Sequence, residues 1–224
     1  MMIMQPISRI RAVIFDLDGT LVDSMPLVLR AFAHALEPFR PDLGIGEIFQ
    51  RLGGPPARTL LELTGDETKA AEALRRLENF GFDNGALVQP FVGMHAFLET
   101  LHKRGLALAI WTGRDRSTTT AILTAHGLER YFAAVVCGDD LLTHKPHPEG
   151  MEFILQRLGL RSEAVLYAGD ADADVLGGAG AGVRTILIRH GREVEPLVLG
   201  KAWRQVDLPS EAYALITAAV TSID

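Results

Sequence analysis

Cysteine is almost absent from this chain: Cys137 stands alone among 224 residues. A single thiol excludes an intramolecular disulfide and a cysteine metal cluster, and it fits a reducing cytoplasm. No apolar run approaches the roughly 20 residues that span a bilayer. A signal peptide is not expected, because MMIMQPISRIR is interrupted by Gln5, Pro6 and Ser8 and lacks an extended apolar region. Positive charge is also short. With 22 Lys and Arg against 28 Asp and Glu, the net charge of −6 argues against nucleic acid as partner. A small phosphorylated metabolite stays admissible, because local cations decide that binding and the net charge does not.

What remains is an ordinary globular mixture, 48% hydrophobic and 22% charged, able to bury a sizeable core. The apolar runs AVIF (12–15), LALAIW (106–111), AAVVC (133–137), AVLYA (164–168) and VRTILI (183–188) read as buried parallel strands. Helical stretches separate the later runs, over 94–104, 117–126 and 149–158, each stopped by a glycine at 105, 127 or 159. Alternating strands and helices predict a doubly wound α/β sheet. A further helix with an apolar face is expected in PSEAYALITAAVTSI near the end.

One interval breaks this rhythm. About ninety residues separate Phe15 from Leu106, where a parallel crossover needs only a dozen or so. Val28, Phe32, Ala35, Leu36 and Phe39 follow helical spacing, as do Ala70, Ala73, Leu74, Leu77 and Phe80. GGPP (53–56) breaks the chain before a third helix around Arg58–Thr64. Residues 24–89 are therefore expected to form an all-helical domain inserted into an α/β core made of 1–23 and 90–224.

Open parallel sheets bind ligands at the carboxyl ends of their strands. Asp16 and Asp18 follow the first strand here, and Thr112 and Gly113 the second. The loop after the third carries Asp139, Asp140 and Lys145, and Gly169, Asp170, Asp172 and Asp174 follow the fourth. A lone aspartate in such a place is most often a turn former or helix cap. Several crowded together are a different matter, since two like charges about 4 Å apart repel by about 4 kcal/mol at an effective dielectric near 20. Hard oxygen ligands without His or Cys support point to Mg²⁺. Thr112 can donate a hydroxyl and Gly113 lets a backbone N–H approach an oxygen closely, while Pro146 and Pro148 stiffen the loop presenting Lys145.

The segments DLDGT (16–20), WTGR (111–114), KPHP (145–148) and GDADAD (169–174) resemble, in order, the four motifs of the haloacid-dehalogenase-like superfamily. The helical insertion between the first two is similar to the first type of cap, found in phosphoglycolate phosphatases and β-phosphoglucomutases. The resemblance implies a phosphatase in which Asp16 attacks phosphorus and Asp18 serves as general acid and then base. It implies Mg²⁺ held by the carboxylates of Asp16 and Asp170 with the backbone carbonyl of Asp18. Thr112, Gly113 and Lys145 would hold the transferring group, and Asp174 would support the metal waters or Lys145. Within the family, Asp18 argues against dehalogenases and phosphonate hydrolases. Val28 stands where the mutases place a histidine, His34 is nearly two helical turns further on, and Thr20 matches phosphatases. Hydrolysis is thus favoured over a phosphomutase. A receiver-type signalling module shares the acids, the hydroxyl and the lysine, but needs neither a cap nor a second aspartate.

Arg58 of GGPPAR (53–58), in the cap, is a candidate substrate contact, and Arg51 and Arg114 are weaker candidates. Asp172 reads as solvated, Asp139 as a loop acid, and Trp111 as core. GGAGAG (177–182) does not fit a dinucleotide fingerprint and predicts an unusually weak helix. The expected partner is a small phosphorylated metabolite, with neither nucleic acid nor membrane, and the expected assembly is a monomer or homodimer.

Overall fold

The computed structural model describes residues 9–52, 56–84 and 88–221. The chain divides into two compact units, one comprising the residues up to Asp23 and from Pro90 onward, the other Ser24–Gln89.

The first unit is built on a six-stranded sheet, all of whose neighbouring strands run parallel. Its strands are β1 (Ala12–Phe15), β4 (Ala107–Trp111), β5 (Phe132–Val136), β6 (Val165–Gly169), β7 (Arg184–Ile188) and β8 (Arg204–Val206). The order β5-β4-β1-β6-β7-β8 builds outward from β1 through β4 to β5, then crosses back to β6 on the other side. That reversal leaves a crevice at the carboxyl ends of β1, β4 and β6, the usual ligand site of such a sheet. Short strands β2 (Val22–Asp23) and β3 (Gln89–Pro90) flank the inserted segment.

β1 is buried along its whole length, so it needs apolar residues pointing to both faces. Ile14 packs with Trp111, Met151, Ile154 and Tyr167 on one face. Phe15 meets Phe97 edge-on at 5.7 Å on the other, and Phe97 stacks on Tyr213 at 4.4 Å. Helices α5 (Met94–Lys103), α6 (Arg116–Ala125), α7 (Glu149–Leu158), α8 (Asp172–Gly180), α9 (Pro196–Leu199) and α10 (Pro209–Thr221) complete the unit. The last buries Ala212, Tyr213 and Ile216, which form its apolar face. β8 escaped the sequence reading because its three residues, Arg-Gln-Val, are largely exposed and carry no apolar run.

The second unit consists of α1 (Met25–Leu36), α2 (Ile45–Arg51), α3 (Pro56–Thr64) and α4 (Glu67–Asn84). Phe32, Ala35 and Leu36 of α1 bury against Ile48, Leu60, Leu63, Ala70 and Ala73. α2 was not anticipated, since it buries only Ile48 and leaves Ile45 and Phe49 exposed. The GGPP break at 53–56 lies outside the described residues, apart from Pro56 at the start of α3. Among the described residues, no helix is long and apolar enough to cross a membrane.

The glycines of α8 have a packing reason. A Cβ on Gly177 would meet the Trp111 ring and the Pro146 carbonyl, and one on Gly178 would overlap the Thr185 hydroxyl and approach Tyr167. The helix thus lies close against the sheet and the Lys145 loop. What reads as a weak helix in isolation is held by that contact.

Candidate active site

The ladder that buries β1 delivers its end to the crevice. Asp16 N–H still donates to the Ala168 carbonyl at 2.8 Å, and Leu21 and Val22 N–H both return to the Leu17 carbonyl, closing a tight turn over 17–22. Gly19 sits in that turn at φ +68°, where a Cβ would overlap the Asp170 carboxylate. Glycine is needed there on both counts.

Lys145 joins the separate segments. Its ammonium donates to Asp16 Oδ1 and to Asp174 Oδ1, each at 2.7 Å. The lysine is 10% exposed, Asp16 9% and Asp174 1% by side chain, so the pairs are shielded from water. Two aromatic rings complete the enclosure, with the ammonium 5.0 Å from the Trp111 centroid and 5.5 Å from that of Tyr167. Burial opposes the Lys145 charge, but Asp16 and Asp174 outweigh it and raise its pKa.

Asp174 has both oxygens occupied. Oδ1 accepts from Tyr167 at 2.6 Å as well as from Lys145, and Oδ2 accepts from Ala171 N–H at 2.9 Å. Asp16 and Asp170 are less well supplied. Burial raises Asp16 to a pKa of about 7 against the pull of Lys145, with Asp174 and Asp18 adding repulsion. Burial and the charges of Asp16 and Asp174 also push Asp170 well up. No donor from a described side chain or backbone reaches the Asp170 carboxylate.

Asp16, Asp170 and Asp174 bring one oxygen each within 4.8 Å of one another. Asp174 is the weakest candidate ligand of the three, because its lone pairs are already engaged. The remaining donors, Asp16 Oδ2 and the Asp170 carboxylate, are hard oxygens whose affinity for protons is raised first by burial and then by the neighbouring carboxylates. Such a donor set fits Mg²⁺.

Asp18 has a different partner. Arg114 grips it side-on, with Nε to Oδ2 at 2.8 Å and Nη2 to Oδ1 at 2.6 Å. Thr112 is buried, and its hydroxyl accepts from Arg114 N–H at 3.1 Å. Gly113 is exposed, with nothing in the space a Cβ would fill. Asp115 then caps α6 by accepting from Thr118 N–H.

The structure therefore brings Asp16, Asp18, Thr112, Gly113, Lys145, Asp170 and Asp174 to one sheet edge. Arg58 belongs to the second unit, where it is exposed and paired with Glu62 at 2.9 Å. Asp172 is not merely solvated: it pairs with Arg192 at 2.7 Å. Asp139 accepts from Arg116 N–H in its loop, and Trp111 is 4% exposed.

Sequence reasoning missed Tyr167 and underrated Arg114. The residues beyond β7 carried no expectation either: there His190 Nε2 lies 2.7 Å from the Gly19 carbonyl and Arg192 donates to the Asp170 carbonyl at 2.7 Å. RHGR (189–192) follows the fifth apolar run, so the question asked of the other strand ends would have found it.

A family model described as haloacid dehalogenase-like hydrolase matches residues 13–188. Pyrophosphatase PpaX of Halalkalibacterium halodurans is 33% identical over 191 residues, covering 85% of this chain and 88% of that protein. Phosphoglycolate phosphatase 1 of Pseudomonas aeruginosa is 35% identical over 193 residues, covering 81% and 70%. A HAD-superfamily hydrolase of subfamily IA from Geobacter sulfurreducens superposes with a TM-score of 0.75 at 25% identity, covering 93% of this chain and 97% of its own. A haloacid dehalogenase-like hydrolase from Streptococcus pneumoniae shares the fold at a TM-score of 0.76 and 23% identity, over 93% and 99%.

Proposed function

The chain belongs to the haloacid dehalogenase-like hydrolase family, as a phosphatase, and on that premise we propose that it hydrolyses a small phosphorylated metabolite with Mg²⁺ through an aspartyl-phosphate on Asp16. The observation that carries this reading is the buried Lys145 ammonium bonded at once to Asp16 and Asp174. It puts a cation beside the attacking carboxylate, where the charge of a phosphoryl group must be met.

In this reading an Asp16 oxygen attacks phosphorus and the bond to the leaving oxygen breaks. The leaving oxygen takes its proton from Asp18. Water then attacks the phosphorus of the acyl phosphate and gives a proton to Asp18, while the P–O bond to Asp16 breaks and inorganic phosphate departs. The carboxylate nucleophile divides one hard hydrolysis into two easier steps. Thr112 and Gly113 would hold the phosphoryl oxygens together with Lys145, and Asp174 with Tyr167 would keep Lys145 in place. Mg²⁺ would be held by Asp16, Asp170 and the Asp18 carbonyl, where it would polarise the phosphoryl group and offset carboxylate charge.

We assign Ser24–Gln89 as the cap and keep Arg58 as a candidate substrate contact on the strength of its sequence position. Val28 packs against the apolar core of that unit and offers no acid or base, which favours hydrolysis over phosphoryl transfer between sugars. Glycolate phosphate and pyrophosphate are the first substrates to test, given the relatives' names. A Mg²⁺-supplemented screen of phosphorylated metabolites, scored by phosphate release and kcat/KM, is the direct experiment. Asp16→Asn should abolish turnover while the fold persists; a variant that still turns over would reject Asp16 as nucleophile.

A further inference from the structure

Arg114 is more than a partner for Asp18. Its guanidinium uses Nε and Nη2 on the Asp18 carboxylate, while no described residue accepts from Nη1. The side chain is 18% exposed, so that nitrogen remains reachable. The backbone on either side is pinned, because Arg114 N–H donates to the Thr112 hydroxyl and the Asp115 carboxylate caps α6. Beside it, Gly113 leaves open space. A rigid turn thus presents a fixed cation next to Thr112, Gly113 and Asp18, with one edge of its planar fork unspent. Guanidinium forks recognise carboxylate and phosphate by geometry as well as by charge.

Building on the phosphatase reading, we propose that Arg114 selects phosphorylated substrates whose leaving group carries a second anion, a carboxylate or a phosphate. Nη1 receives that anion while Nε and Nη2 hold the Asp18 carboxylate beside it. Specificity for a doubly anionic substrate then resides in the α/β unit itself, on the loop that follows β4.

The test compares phosphoglycolate with its uncharged methyl ester, and both with p-nitrophenyl phosphate, in Mg²⁺. The wild-type protein should favour the free acid over the ester by about tenfold or more in kcat/KM. Arg114→Gln should erase that preference, Arg114→Lys should keep part of it, and p-nitrophenyl phosphate should report the separate cost of a loosened Asp18. A preference that survives Arg114→Gln, or a wild-type protein that cleaves p-nitrophenyl phosphate but does not distinguish acid from ester, overturns the assignment of Arg114 alone. Should Arg114→Gln fail to fold, an acid preference undiminished in Arg114→Lys overturns it equally. If the wild-type protein cleaves none of the three, the phosphatase reading itself falls.

Discussion

At the scale of single residues, chemically identical carboxylates are differentiated by their partners. Asp174 is saturated by Lys145, Tyr167 and Ala171, Asp18 is held by Arg114, and Asp16 shares one oxygen with Lys145. Asp170 keeps its carboxylate free of described donors. These differences support the division of labour proposed above. Asp18→Asn should therefore slow alkyl phosphates more than p-nitrophenyl phosphate, by about 100-fold in the ratio of kcat/KM, because only a poor leaving group needs its proton. Equal losses would count against an acid role. Tyr167→Phe removes one buried donor from Asp174 while keeping the ring beside Lys145. It should cost about 1 kcal/mol or somewhat more in urea unfolding, and an unchanged midpoint would show that the hydroxyl contributes nothing.

At the scale of elements, α8 shows how local propensity yields to packing. Alanine is a better helix former than glycine by about 1 kcal/mol, so propensity alone predicts that every glycine replacement in this helix stabilises the protein. Packing predicts otherwise for Gly178, whose Cβ would collide with Thr185, while Gly180 has only Pro148 side-chain carbons at 3.4 Å and beyond. Gly178→Ala should lose about 1–3 kcal/mol through overpacking, and Gly180→Ala should be neutral or stabilising. Calorimetry of the two variants decides the matter: if both stabilise, the close approach of α8 to the sheet is not what requires the glycines.

At the scale of the whole molecule, the site stores unfavourable charge that folding must offset. The pKa of Asp16 is about 7 when folded, against 3.8 for the ordinary side chain. The folded state therefore holds a proton that the unfolded chain has released, and without a metal this contribution to stability is present below pH 3.8 and lost as pH rises toward about 7. In the proposed function, Mg²⁺ bound to the folded form would compete with that proton. Its stabilisation should be larger near about pH 8 than near about pH 5, by mass action on the deprotonated site. Thermal scans with Mg²⁺ or EDTA at both pH values test this. A shift of the same size at each would count against these carboxylates as Mg²⁺ ligands.

The buried strands, their alternation with helices and the helical segment between Phe15 and Leu106 were legible in the sequence, because apolar periodicity reports burial directly. So were the acids, hydroxyl and lysine at the strand ends, since residues next to a strand terminus inherit its position in the sheet. β8 and α2 were not, because each buries too little apolar surface to leave a pattern. Nor could one-dimensional spacing pair Arg114 with Asp18 across 96 positions or join Lys145 to Asp16 across 129. What the sequence determined by itself is therefore which chemical groups reach the carboxyl edge of the sheet. Which carboxylate is gripped, which is saturated and which is left without a described donor was decided by the tertiary structure, because hydrogen bonds and desolvation depend on distances that only the folded chain sets.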